Sequence, residues 1–118
     1  MIIAGSSLTP FDFDGLRILD YTAGQNLGSS LAVIDVPPGV RHAEAWSKRS
    51  DKYYLVVAGA VRFVLDGVAA DLGTGDFCLV RQGQRFSYSN PAAALAKLVL
   101  VHTPNFDIGA EVFVEPAK

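Results

Sequence analysis

The feature that most constrains this chain is the close spacing of its turn signals. Apolar or alternating runs of no more than eight residues (Leu16–Tyr21, Ser30–Val36, Tyr53–Val57, Val61–Leu65, Phe77–Val80, Phe86–Tyr88 and Leu95–His102) are cut apart by Gly- and Pro-bearing turns. Those turns are Gly24-Gln25-Asn26, Pro37-Pro38-Gly39, Asp66-Gly67, Gly73-Thr74-Gly75, Gln82-Gly83 and Asn90-Pro91. Runs this short, many of them rich in Val, Phe and Tyr, suit pleated, half-buried strands. Turns at this spacing predict an all-β sandwich or barrel. One segment dissents: the alanines of Ala92–Leu98 favour helix. Asn90-Pro91 before it and Leu98–Val101 after it predict a loop that feeds a strand instead.

Composition narrows the function. A chain of 118 residues predicts one domain. Half its residues are apolar and 19% are charged, for a formal charge of −2, which gives no basic footprint for nucleic acid. No apolar run approaches the roughly 20 residues of a membrane-spanning helix, and Met1-Ile2-Ile3-Ala4-Gly5 lacks the basic start of a signal peptide. The one cysteine, Cys78, excludes an internal disulfide and any Cys-rich zinc site. These features predict a cytoplasmic domain with no nucleic-acid or membrane partner. The surplus of apolar over charged residues predicts a further buried surface, most simply that of a homodimer.

Two stretches carry a family resemblance. Pro37-Pro38-Gly39 with Lys52–Gly59 resembles the first motif of the cupins, and Gly75–Gly83 with Phe86 and Asn90 resembles the second. The motifs G-x5-H-x-H-x4-E-x6-G and G-x5-P-x-G-x2-H-x3-N fall without a gap on Gly39, Ala45, Ser47, Lys52, Gly59 and on Gly75, Arg81, Gly83, Phe86, Asn90. Fifteen residues separate them, and the ending His102–Asp107 resembles the way small single-domain cupins leave the barrel. The resemblance implies a double-stranded β-helix, or jelly-roll barrel. Its motif-bearing part spans about 31–107, with N-terminal strands in 1–30 and a C-terminal strand in 108–118.

The departures say more about chemistry. The four positions that bind a metal in the family read Ala45, Ser47, Lys52 and Phe86. Ala and Phe offer no donor, one serine oxygen is a poor transition-metal ligand, and lysine brings a cation of its own. The resemblance therefore implies a cupin without the usual metal and without a cofactor. A displaced site from His42, Glu44 and His102 is the alternative. Strand parity opposes it: with 45 and 47 facing inward, 42 and 44 face outward unless a bulge intervenes.

The vacated metal position becomes an organic pocket for a small-molecule ligand. Tyr54 and Val56 share the parity of Lys52. Phe86 and Tyr88 face them, and an exposed Lys97 turns Leu98, Leu100 and His102 inward. The candidate ligand contacts are Ser47, Lys52, Tyr54, Phe86, Tyr88 and His102, with Lys52, His102, Tyr54 and Tyr88 as catalytic candidates. No glutamate is seen to offset a buried Lys52, so its removal is expected to raise stability slightly. Two uses fit: a binding module, or a metal-independent isomerase, epimerase or lyase acting on a small carbonyl or carboxylate compound. A metal-dependent enzyme with a displaced site ranks third.

Overall fold

Eleven strands form two antiparallel sheets in the structure, a computed structural model that describes residues 1–114. In chain order they are β1 (Phe11–Phe13), β2 (Leu16–Asp20), β3 (Ser30–Val36), β4 (Arg41–Ser47), β5 (Asp51–Ala58), β6 (Ala60–Leu65), β7 (Val68–Gly73), β8 (Phe77–Val80), β9 (Phe86–Ser89), β10 (Ala96–Thr103) and β11 (Glu111–Phe113). One sheet runs β1-β2-β3-β10-β5-β8 and the other β11-β4-β9-β6-β7. This is the jelly-roll barrel that the turn spacing and the motifs implied. Within the segment 108–118 the described part holds the short strand β11, and positions 115–118 lie outside the described residues. Ala92–Leu95 is a loop and the strand begins at Ala96, as Asn90-Pro91 required. Asn90 fixes that loop: its Nδ2 donates to the carbonyls of Val36 and Ala94, both at 2.8 Å.

The turn glycines are architecture. Gly59 joins β5 to β6 at φ +71°, and a Cβ there would stand 2.6 Å from the Leu95 carbonyl oxygen. Both the backbone angle and the close approach demand glycine.

The inner face of β10 grades along its length. Ala96 and Leu98 lie opposite Val36, Ile34 and Val56, whereas Leu100 meets Ala32 and Tyr54, and His102 meets Ser30 and Lys52. Lys97 is exposed, as expected, and by parity Leu98, Leu100 and His102 turn inward. One end of the barrel is thus packed with aliphatic side chains while the other carries polar and aromatic ones.

The N- and C-terminal segments cover that second end. β1 and β2 bring Phe13 and Ile18 to it, and β11 lies beside β4 with Glu111 opposite Ser47. The chain leaves β10 through a cis Thr103–Pro104 peptide. The loop that follows is pinned by Ser50 Oγ donating to the Pro104 carbonyl (2.7 Å) and by Arg49 donating to the Asn105 carbonyl (3.0 Å) and Oδ1 (2.6 Å). This holds Phe106 against His102, ring centroids 5.0 Å apart.

Candidate functional site

Strand β5 has an inverted pattern. Its outward residues Tyr53, Leu55 and Val57 are apolar and exposed, while Lys52 points inward and is only 3% exposed. An ammonium so placed needs partners, because a buried unpaired charge is strongly disfavoured. It has two. Lys52 Nζ donates to Glu111 Oε1, and it lies 2.9 Å from His102 Nε2. It also sits over the rings of Phe86 and Phe106, 5.4 and 5.8 Å from their centroids, where a cation is attracted to the π face. Burial lowers the lysine's hold on its proton, and the Glu111 carboxylate opposes that pull. Asp51 is not its partner, accepting instead from the Gln82 amide at 2.8 Å.

The ammonium fixes the histidine's state. An imidazole nitrogen facing N⁺–H must accept, so His102 is neutral with its proton on Nδ1. Burial, with Lys52 nearby, pushes its pKa down to about 3.

His42 overturns the parity expectation. Ala45 pairs with Phe86 and His42 with Tyr88, so one residue between the pairs on β9 faces two on β4. That extra residue is a bulge, and it turns both His42 and Ala45 inward. The His42 ring lies 5.0 Å from Phe86, 5.2 Å from Tyr88 and 5.9 Å from Phe13. Its Nδ1 is 2.6 Å from the Ala43 carbonyl, which can only accept, so Nδ1 carries the proton and Nε2 keeps a bare lone pair. Burial lowers its pKa to about 4, against the pull of that carbonyl. Glu44 is not beside it in the bowl; its carboxylate faces Arg85 at 3.9 Å.

These groups surround a cavity of about 320 Å³. Lys52, Tyr54, Tyr88, His102, His42 and Glu111 line it, with aromatic walls from Phe13, Phe106 and Phe113. The buried Tyr88 hydroxyl has no hydrogen bond of good geometry, although the Tyr54 phenol lies close enough to act on it. Burial holds both phenols protonated, well above their ordinary range. A shallower, more polar hollow of about 500 Å³ adjoins the mouth, sharing Asp20, Ser30, Phe106 and Ile108 with the bowl.

Two expected contacts sit elsewhere. Ser47 is buried off the cavity wall, its Oγ accepting the amides of Arg49 (3.1 Å) and Ser50 (2.9 Å). Phe86 lies beneath the cavity, 1% exposed, as the floor under Lys52 and His42. Trp46, between the inward Ala45 and Ser47, is half-buried opposite Val112 and lies off the cavity wall.

Glu111 escaped the reading of the sequence, which saw no carboxylate to offset Lys52. The signal was present: a lone acid in the apolar run Ile108–Val114. A lysine forced inward should have prompted a search for such an acid.

The residues do not fit a metal ion at the family's position. Ala45 and Phe86 have no donor, the Ser47 oxygen is engaged, and the Lys52 ammonium occupies Glu111 and His102. Among the described residues no group of three His, Cys, Asp or Glu could hold one.

Comparisons with known proteins agree with this architecture. The family model described as Cupin domain matches residues 32–102. A search of curated protein sequences found no match. Among solved structures the chain is similar to Streptomyces PAC13 with uridine, in a variant that changes a histidine to glutamine: 24% identity over 99% of this chain and 92% of that one, TM-score 0.83. Two PAC13 variants that each change a tyrosine to phenylalanine also hold uridine. Pac13 itself, described as a unique nucleoside dehydratase, matches at 24% identity over 100% and 93% of the two chains, TM-score 0.84. A sugar phosphate isomerase of Silicibacter pomeroyi matches at 18% identity over 87% and 75%, TM-score 0.75. At these identities the likeness is one of fold.

Proposed function

The chain belongs to the cupin domain family, and from that premise we propose that it is a metal-independent cupin that binds a small molecule in its bowl and moves a proton on it, as a lyase or isomerase does. One observation carries the reading. Lys52, at the motif's glutamate position, places an ammonium inside the barrel, held by Glu111 and His102.

An ammonium has three N–H donors. Two are engaged, and among the described residues the third has no partner. It is left for a ligand oxygen, where it would stabilise negative charge developing on a carbonyl. The Nε2 lone pair of His42 supplies a proton acceptor, and the buried phenols of Tyr54 and Tyr88 supply donors. The cavity volume suits a compound of monosaccharide or nucleoside size. The histidine and tyrosine variants of the nucleoside dehydratase concern residue types that this bowl also presents.

The test screens a small-molecule library by thermal shift on the wild type and on His42→Gln. Binders are then incubated with each protein in D₂O and analysed by mass spectrometry. Deuterium entering a binder with the wild type and not with His42→Gln is the expected result. Binders that never exchange leave a binding module. About one equivalent of Fe, Mn, Ni or Zn per chain by elemental analysis would overturn metal independence.

We further propose that the protein is a cytoplasmic homodimer. Val33, Val99, Leu55 and Phe77 stand in one register row on the outer face of the larger sheet, and Val101 and Tyr53 continue it in the next. Phe77 is 54% exposed there. An apolar sheet face of this kind is usually covered. Light scattering at the monomer mass of 12.6 kDa would reject the dimer.

A further inference from the structure

The charges around the bowl are committed before any ligand arrives. Lys52 and Glu111 neutralise one another, with side chains 3% and 6% exposed. Among the described residues the other charged group on the wall is Asp20, whose Oδ1 accepts the Thr22 amide at 3.1 Å. Among the described residues no arginine lines the bowl. Arg49, Asp20 and Asp107 line the adjoining hollow, and two donors of Arg49 are taken by Asn105. Among the described residues, three carboxylates meet two cations across bowl and hollow.

We infer that the site takes a neutral, oxygen-bearing compound with a planar ring, of nucleoside type, and excludes its phosphorylated or carboxylated forms. The inference rests on the reading of the bowl as a small-molecule site and adds the charge class of what enters it. An anion would have to share the one buried cation with a carboxylate that already holds it, and would pass Asp20 on the way in. A cation finds no free buried counter-ion either, because Glu111 is already held by Lys52. The groups still open are one Lys52 N–H, the Tyr88 hydroxyl and the His42 Nε2 lone pair. They are a mixed set of donors and acceptor, suited to carbonyl, amide and hydroxyl groups. The rings of Phe13, His42 and Tyr88 supply faces for a flat moiety. The acids of the hollow suit the hydroxyls of an attached polyol.

Of the carbonyl and carboxylate compounds that the sequence suggested, the carboxylates are thereby disfavoured, because Glu111 already holds the charge they would need.

The experiment has two arms. In the first, the wild type is titrated calorimetrically with uridine against uridine 5′-monophosphate, and with ribose against ribose 5-phosphate. The neutral member of a pair is expected to bind at least about tenfold more tightly, the order of one unmatched charge near a committed ion pair. A phosphorylated member that binds as tightly overturns the inference. In the second, melting of the wild type and of Glu111→Gln is compared in sodium sulfate and in sodium chloride at equal ionic strength. The variant, with its ammonium released, is expected to gain about 4 °C more from sulfate than the wild type does. Equal gains overturn the inference. If none of the four compounds binds while the variant alone responds to sulfate, the charge rule stands and the proposed small-molecule function is what fails. If Glu111→Gln does not fold, the first arm decides alone, and absence of any preference in it overturns the inference.

Discussion

The two ends of the barrel are built on the same strands and solve opposite problems. At one end Val36, Val56, Ala96 and Leu98 meet with no more than 1% exposure, and burial of apolar area alone accounts for their arrangement. At the other, β5 and β10 continue into Lys52, Tyr54, Leu100 and His102 around a cavity of about 320 Å³. There most of the polar groups satisfy one another: Glu111 accepts a hydrogen bond from Lys52, His102 accepts a second, and Ala43 accepts from His42. The packed end holds the strands in register. The open end uses that register to keep costly groups in place.

The largest effect belongs to the open end. Lys52→Met leaves the Glu111 carboxylate buried without its partner, and loss of one member of a buried pair costs about 3–5 kcal/mol. This reverses the slight stabilisation expected from the sequence alone. The double change Lys52→Met/Glu111→Leu removes both charges and is expected to recover most of that loss, as apolar replacement of buried pairs generally does. Urea denaturation of the three proteins decides the matter. A single variant as stable as the wild type would mean that the pair contributes nothing.

At the packed end Leu98→Ala removes a fully buried side chain and is expected to cost about 2–5 kcal/mol, from lost transfer energy and the cavity left behind. The contrast lies in repair. No second substitution among its neighbours recovers Leu98→Ala as removal of Glu111 recovers Lys52→Met, because a void has no partner to delete. If the two ends respond alike to second-site changes, the division between them is wrong.

How much of this was legible in the sequence follows the same division. Strand β10 alternates strictly along its whole length, even across its register shift against β5 between Lys97 and Leu98, so the exposed Lys97 placed Leu98 at the packed end and Leu100 beyond it correctly. The turn glycines also carried their reason locally, and Gly59 needs only its own φ and one close carbonyl. The open end breaks the period of two. The bulge between His42 and Ala45 contains Ala43-Glu44, with neither glycine nor proline to mark it, so His42 was assigned to the wrong face. Glu111 comes from a strand of three residues whose neighbour, β4, lies more than sixty residues earlier. Nothing local records that pairing. Lys52 itself was legible only as a departure from the motif, and its partner had to be seen.

Acid should act on the open end first. His42 and His102 are held near 4 and 3, below the 6.5 of a free imidazole. The unfolded chain therefore takes up protons before the folded one. Their contribution to stability is complete above pH 6.5, declines as pH falls through 6.5 towards 4, and for His102 continues to fall towards 3. The slope approaches about 1.4 kcal/mol per pH unit for each histidine. Denaturation at pH 7, 6 and 5 should show this decline, and His42→Gln should remove about half of it. An unchanged slope in that variant would mean that His42 is readily protonated in the folded state.

The smallest expected change in stability is also the most direct probe of purpose. Tyr88 is 2% exposed and its hydroxyl has no hydrogen bond of good geometry. In a region kept only for packing, such a group is a defect, since a buried hydroxyl without a partner carries an unrecovered desolvation cost. Tyr88→Phe should then leave stability within about 1 kcal/mol of the wild type, or raise it. A ligand that bonds this hydroxyl would lose roughly tenfold in affinity for the same change, the worth of one hydrogen bond in a dry site. The two readouts must move apart: melting held or raised, binding weakened. If Tyr88→Phe melts several degrees lower, the hydroxyl has a structural partner and belongs with the packed end. If neither melting nor binding changes, the hydroxyl serves neither end, and the bowl recognises its ligand without it.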